Sequence, residues 1–401
     1  MSISTRHHHR RGMAVALLAA SVALLASDAF AGAREQARRL HDRLAGVPPT
    51  QTVLQQMQDE IADGDPLAAA EIAMNNKAFY NVTVKNMVTP WTNEERTRFA
   101  PLNDYTATVI GMVRDGEDFR HILFDDIVYV ADGPDVSPAL PAYSDANNDH
   151  YLELERRNLN MGDPDILRPH AQSSLTSLPE EATAGVMTTR AGAKAFFVAG
   201  TNRAMLRFTL INHMCRDLEQ LKDNTLPPDR IRRDVSRSPG GDSRVFFGTC
   251  LACHSGMDPL AQAFAYYNFD GPEGGETGRL VYNNTTAQEK YNINPNNFAQ
   301  GYVTTNDAWE NRWRTGVNAH LGWSDSLEGR GNGAKSLGQE LAYSDAFAEC
   351  QVKKVFRTVC LREPTTAADH DAVDDITGIF RSNGYNLRRV FAETGVHCMG
   401  N

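Results

Sequence analysis

Cys250-Leu251-Ala252-Cys253-His254 is the stretch of this chain that carries the most chemistry. It spells C-x-x-C-H, the attachment pattern of a c-type haem. On a helical turn, two thiols three positions apart lie on one edge, where both can add across the vinyl groups of one porphyrin. The next residue, His254, presents an imidazole to the iron as proximal ligand. Other uses of the pair fit less well. Zinc would need a second close pair of Cys or His ligands, and the chain has no second C-x-x-C. A thioredoxin-like pair would need a βαβ context, which the flanks Phe246-Phe247-Gly248-Thr249 and Met257-Asp258-Pro259-Leu260 do not offer. A local disulfide between Cys250 and Cys253 is an unusual alternative. The expected cofactor is one covalent haem c held by Cys250, Cys253 and His254.

The opposite face of the iron decides whether such a site carries electrons or does catalysis. Small electron-transfer cytochromes place a distal Met well downstream of the motif. Here the downstream methionines are Met257, three residues after His254 and on the proximal side, and Met399 near the C-terminus. The downstream histidines are His320, His370 and His397. His320 follows His254 by 66 positions in an apolar setting, Ala319-His320-Leu321-Gly322-Trp323, and is the candidate distal ligand. Upstream, Met205, His213 and Met214 share one amphipathic segment and read better as core. Arg244 and Arg279 are candidates for the haem propionates.

The start of the chain leads to an expectation of export to an oxidising compartment. Arg6, His7 to His9, Arg10 and Arg11 precede an apolar run from Met13 to Ala26, followed by Ala29-Phe30-Ala31. This is the order of a secretory signal peptide, residues 1–31, cleaved before Gly32. The expected location is periplasmic or otherwise exported, with no transmembrane segment after cleavage. Export also accounts for the cysteines outside the motif, Cys215, Cys350, Cys360 and Cys398, which number enough for two disulfides, with buried free thiols as the alternative. Cys350 and Cys360 are expected on one helix, about 15 Å apart at ~1.5 Å per residue, which is too far to bridge. Two of the three pairings remain open if that helix is unbroken.

Composition bounds the rest. The chain is 41% hydrophobic and 22% charged, with a formal net charge of −10. The acidic balance argues against a nucleic-acid partner; it is compatible with a basic redox partner protein of unknown identity, although such a balance usually serves solubility alone. Asp145, Asn147 and Asp149 imitate the first ligands of a calcium loop, but His150 and Arg156 stand where that loop needs Gly and Glu, so turn formation explains them better.

Periodicity and capping residues predict a mainly α fold: a helical N-terminal region over 32–180 with a loop-rich end, then a c-type cytochrome-like helical haem domain with long loops over 181–401. Helices are expected from Arg34 to Leu44, from Thr50 through Ile61, from Asp65-Pro66 onward, and from Asn103 or Asp104 through Val113. An amphipathic helix is expected over 203–222, where Met205, Phe208, Ile211, Cys215 and Leu218 recur at helical period. Asp258-Pro259 reads as a fresh helix start after the haem motif. Residues 271–304 read as loop or short strands. Ala346 to Leu361, Thr366 to Ser382 and a last segment to about Glu393 complete the helices.

Leu206 to Asp270 resembles the cytochrome c region of the planctomycete-type cytochrome c family. The resemblance rests on Cys215, Pro227-Pro228, Cys250 to His254, Asp258-Pro259 and Phe269-Asp270. Phe347-Ala348-Glu349-Cys350, Arg362 and Gly384-Tyr385-Asn386-Leu387 are similar to its C-terminal part. Arg39-Leu40 through Gly46-Val47-Pro48-Pro49-Thr50 is similar to an element of domains that accompany these cytochromes. The chain departs from the pattern at Ala261-Gln262, where the family often has Gly-Phe, and by extra Gly and Glu after Asp270. The resemblance implies an exported monohaem c-type cytochrome in electron transfer. Two other classes fit the same motif: a haem enzyme of peroxidase or oxidase type with an open distal site, and a surface or binding protein with an accessory haem.

Overall fold

The helix starts in this protein fall where the sequence supplies capping groups. The computed structural model describes residues 32–197, 200–272, 275–292 and 298–400; the expected signal peptide lies outside the described residues. Helix α1 (Ala33–Ala45) stops at Gly46, whose φ of 73° only glycine adopts without strain. Thr50 caps α2 (Gln51–Ala62) by accepting from the Val53 amide. Asp65 caps α3 (Pro66–Met74), with proline in the first turn. Asn103 caps α4 (Asp104–Asp115) by accepting from the Thr106 amide.

The loop-rich stretch that follows holds a short antiparallel pair, β1 (Val128–Val130) with β2 (Arg168–His170), and α5 (Asp149–Arg156) between them. Asn147 Oδ1 accepts from the Asp149 amide at 3.0 Å, an Asx turn in place of a calcium loop. The chain continues through α6 (Arg190–Phe196), α7 (Arg203–Thr209) and α8 (Leu251–Ala261). Two further antiparallel pairs follow, β3 (Tyr267–Asp270) with β4 (Arg279–Tyr282), and β5 (Ala308–Glu310) with β6 (Arg330–Asn332). Four helices end the chain: α9 (Gly333–Ala342), α10 (Asp345–Cys360), α11 (Ala367–Ser382) and α12 (Leu387–Cys398). The fold is mainly helical. Among the described residues, no helix is long and apolar enough to cross a membrane.

One apolar core runs from Ala37 and Leu40 on α1 to Val390 and Phe391 on α12, and it includes Met205, Met257 and Phe264. Helix α12 reaches α1 closely because position 395 is glycine. A Cβ there would stand 2.8 Å from a Leu40 methyl and 3.1 Å from one of Leu44. That close packing, with Cys398 bonded to Cys360, carries α12 beyond its expected end at Glu393. The second disulfide joins Cys215 to Cys350. The Cα separations are 5.2 Å for 215–350 and 5.5 Å for 360–398, and α10 carries Cys350 and Cys360 on one unbroken helix.

Two expected helix boundaries are corrected. The segment expected to be one helix over 203–222 ends early. After α7 the chain makes a wider π turn at Leu210–Met214 and breaks at Cys215, which takes a left-handed φ of 53°. Asp217 then caps a separate short turn, Leu218–Gln220. Asp258-Pro259 does not start a helix either, because α8 runs through Pro259. The Asp258 carboxylate is drawn into ion pairs instead of capping, as described next.

Candidate functional site

The C-x-x-C-H motif begins in a π turn, Phe246–Cys250, and runs into α8. At about 100° per residue, positions 250, 253 and 254 fall within one narrow arc of the helix. The structure shows that arc on the open side. Cys250 and Cys253 are free thiols of intermediate burial, and the His254 side chain keeps 21% of its exposure. The intervening Leu251 and Ala252 are buried, and so is every residue from Ser255 to Ala261. One turn upstream, Val245 and Phe247 are exposed, and the space beside Gly248 is open. The two thiols and the imidazole therefore share one partly exposed ledge, with exposed apolar side chains one turn upstream. The two thiols and the imidazole are the donor set that a covalent haem would require. Beneath the ledge, Phe246 and Leu251 pack with Ile231 and Val235 in a small core of their own, against which Cys250 rests.

Behind His254 lies a buried charge network. Nδ1 of His254 is 3.1 Å from Oδ1 of Asp258, one helical turn on. Asp258 is fully buried. A carboxylate only accepts, so Nδ1 of His254 carries a proton and donates a hydrogen bond to Asp258. Arg203, from the start of α7, donates from Nε to the same Oδ1 at 2.7 Å and from Nη2 to Oδ2 at 3.0 Å. The Arg232 amide donates to Oδ2 at 3.2 Å, and its own buried guanidinium stands 3.6 Å from Oδ1. Arg203 also grips Asp234 at 2.6 and 2.8 Å. Two guanidiniums thus face two carboxylates, which offsets the cost of burying them. Burial alone would raise the Asp258 carboxyl, but Arg203 and Arg232 hold it well below the usual carboxylate range. Burial opposes the charge on Arg203 too, and its two carboxylates keep it firmly cationic.

Helix α8 is fixed from its other side by Trp313, which is fully buried. A Cβ at Gly256 would stand 2.1 Å from the indole Nε1, so only glycine lets the ring lie on the helix here. The segment before the motif is tied to it as well. Cys253 Sγ donates to the Leu218 carbonyl at 3.8 Å, and the Asp223 amide donates to the Ala252 carbonyl at 2.9 Å. Burial raises the Cys253 thiol, which keeps it protonated.

The residues weighed for the distal ligand are scattered. His320 is exposed on the short helix Gly316–Leu321. Its Nδ1 donates to the Val317 carbonyl at 2.7 Å, which leaves Nε2 for another partner. That helix touches the region of the motif, since Asn318 donates to the Leu221 carbonyl at 3.0 Å. Met205, Met214 and Met257 are buried in the main core. His213 is buried too, with Nε2 2.7 Å from the Tyr105 hydroxyl. His370 is exposed on α11, while His397 reaches Asp369 at 3.4 Å, and Met399 packs against the core. Arg244 is engaged by Asp242, and Arg279 is exposed on β4.

Reading the sequence missed the network. Local spacing makes Asp258 a helix cap and gives Arg203, Arg232 and Asp234 no role. The available signal was the basic run Arg230, Arg232, Arg233 beside Asp234 in an acidic chain. No family model, curated protein or solved structure matches this chain.

Proposed function

We propose that this protein is an exported monohaem c-type cytochrome that transfers electrons to or from a redox partner protein. The observation that carries the proposal is the arc of Cys250, Cys253 and His254 on the open face of α8, with Nδ1 of His254 bound to Asp258. In this reading Cys250 and Cys253 would hold the haem through two thioether links and His254 would supply its imidazole to the iron. Haem, when attached, supplies one-electron chemistry between ferrous and ferric iron. The chain's part is to anchor the group, to fix the tautomer and direction of His254, and to hold a neutral-sum charge network behind it. The resemblance to planctomycete-type cytochromes c supports the same reading, and the two disulfide pairs are compatible with export.

A second reading, a haem enzyme with an open distal site, is favoured by one observation. Met205, His213, Met214 and Met257 are all committed to the core, which withdraws them from the iron's opposite face.

The test is expression into an oxidising compartment with the haem-attachment machinery, followed by the alkaline pyridine spectrum of the denatured protein. One covalently held haem per chain is expected, lost in a Cys250→Ala/Cys253→Ala variant. A folded product with no covalent haem removes both readings. Given loading, a low-spin iron indifferent to carbon monoxide supports the carrier, and a high-spin iron that binds it supports the enzyme.

A further inference from the structure

We infer that Asp258 and Arg203 together set the donor strength of the His254 imidazole and so act as the chain's built-in regulator of the haem potential. The inference rests on the proposed haem site and concerns residues outside the C-x-x-C-H motif. Its basis is the sharing of one oxygen. Oδ1 of Asp258 accepts from His254 Nδ1 at 3.1 Å and from Arg203 Nε at 2.7 Å.

A carboxylate that accepts from the proximal imidazole pulls its proton and gives the ring imidazolate character. The ring then donates more strongly, and ferric iron gains relative to ferrous. Arg203 works against this. Its guanidinium makes the shorter bond to the same oxygen and a second bond to Oδ2, so it takes up electron density that His254 would otherwise receive. Arg232 adds a second cation at 3.6 Å. The carboxylate is buried, so these effects are little screened by solvent. Asp234 touches the network only through Arg203, at 2.6 and 2.8 Å, and makes no contact with His254 among the described hydrogen bonds. It supplies a negative charge of the same sign as Asp258 without a bond to the ligand.

These differences make a role in tuning the ligand separable from a role in holding the fold. Asp258→Asn removes the charge but keeps an oxygen acceptor for Nδ1, and the potential is expected to rise. Arg203→Gln leaves Oδ1 to His254 alone, and the potential is expected to fall. Shifts of about tenfold in the ferrous-to-ferric ratio are expected in each direction, about 59 mV for one electron. Loss of packing alone gives no reason for opposite signs from two partners of one ion pair. Asp234→Asn is the control. It should move the potential less than Asp258→Asn and leave the ferric electron paramagnetic resonance g values unchanged, since these report the axial ligand's donor strength.

The measurements are spectroelectrochemical titration and ferric resonance spectra on haem-loaded full-length protein. The pyridine spectrum is taken first on each preparation. Wild-type protein without covalent haem sinks the proposed function. Loaded protein in which Arg203→Gln leaves the potential unchanged or raises it sinks the present inference alone. The inference also fails if Asp234→Asn changes the g values as much as Asp258→Asn. Where Asp258→Asn does not accumulate, Arg203→Gln and Asp234→Asn decide the matter, one expected to shift the g values and the other not.

Discussion

The hydroxyl of Tyr105 and Nε2 of His213 lie 2.7 Å apart inside the protein, joining α4 to the π turn that follows α7. His213 is also ringed by aromatics, with Trp91 edge-on at 5.5 Å and Phe347 stacked at 6.3 Å. The contact removes His213 from the candidates for iron and makes it part of the packing that holds the π turn after α7 to the first helices.

Tyr105→Phe should therefore cost about 1–3 kcal/mol, because it leaves a buried imidazole nitrogen unpaired. Nδ1 of the same ring already has no partner among the described residues. Urea unfolding of the two proteins at pH 7 checks this. A loss under 0.5 kcal/mol would mean that the bond carries no weight.

The same ring predicts acid sensitivity. Burial lowers the His213 pKa from 6.5 to about 3, with the Lys354 charge adding in the same direction. Between those values the unfolded chain binds a proton here and the folded chain does not, so stability rises with pH. The contribution is complete above about 6.5 and is lost as pH falls toward 3. His213→Gln should narrow the difference in unfolding midpoint between pH 7 and pH 4.5. An unchanged difference would assign the acid response to other groups.

Lys354 is the counterpart on the alkaline side. Its ammonium sits over the Trp91 ring, 4.7 Å from the centroid, and burial followed by the Arg96 and Arg357 charges lowers its pKa from 10.5 to about 7. The unfolded chain keeps this proton up to about pH 10.5, so wild-type stability gains as pH rises from 7 toward that value. Lys354→Met lacks this dependence and fills the same space. The variant should melt higher than wild type at pH 6, and its advantage should shrink by pH 9.5. An advantage that grows with pH would contradict the argument.

By restricting the unfolded chain, the 360–398 disulfide should contribute about 4 kcal/mol and the longer 215–350 loop about 5 kcal/mol. Cys360→Ser/Cys398→Ser should lower the melting temperature without altering covalent haem content, since Cys250 and Cys253 remain free. Peptide mapping without reduction checks the pairing itself. Recovery of a 215–360 or 350–398 link would refute the structure at this point.

His320 keeps a concrete test. As sixth ligand it predicts that His320→Ala converts a low-spin spectrum to a high-spin one that binds carbon monoxide. Identical spectra in the two proteins would strike it from the list.

Local signals and long-range ones were legible to different degrees. Thr50, Asp65, Asn103 and Thr366 were readable as helix starts because a cap acts within three or four residues. The helix carrying Cys350 and Cys360 was readable too, and it narrowed the disulfide pairings to two. The choice between those two was not readable, since it depends on where Cys215 lands after a left-handed turn. Met205, Phe208 and Ile211 did face the core, but a period in side chains does not reveal a backbone break at Cys215. The motif itself was plain. Its supporting network was not, because Arg203 and Asp258 are 55 positions apart and meet only through the fold. Local reasoning gave Asp258 the role of a cap, which is what an Asp before a Pro does when no buried cation competes for it.

The bond between Cys215 and Cys350 spans 135 positions, and the whole of α8 lies within that span. In topological terms the segment that carries the C-x-x-C-H motif is a closed covalent ring with two tails. A single proteolytic cut anywhere in the ring opens it without releasing a fragment, and the two flanks of the attachment motif stay joined through sulfur. Damage to a surface loop would then leave the molecule whole until a reductant reached it.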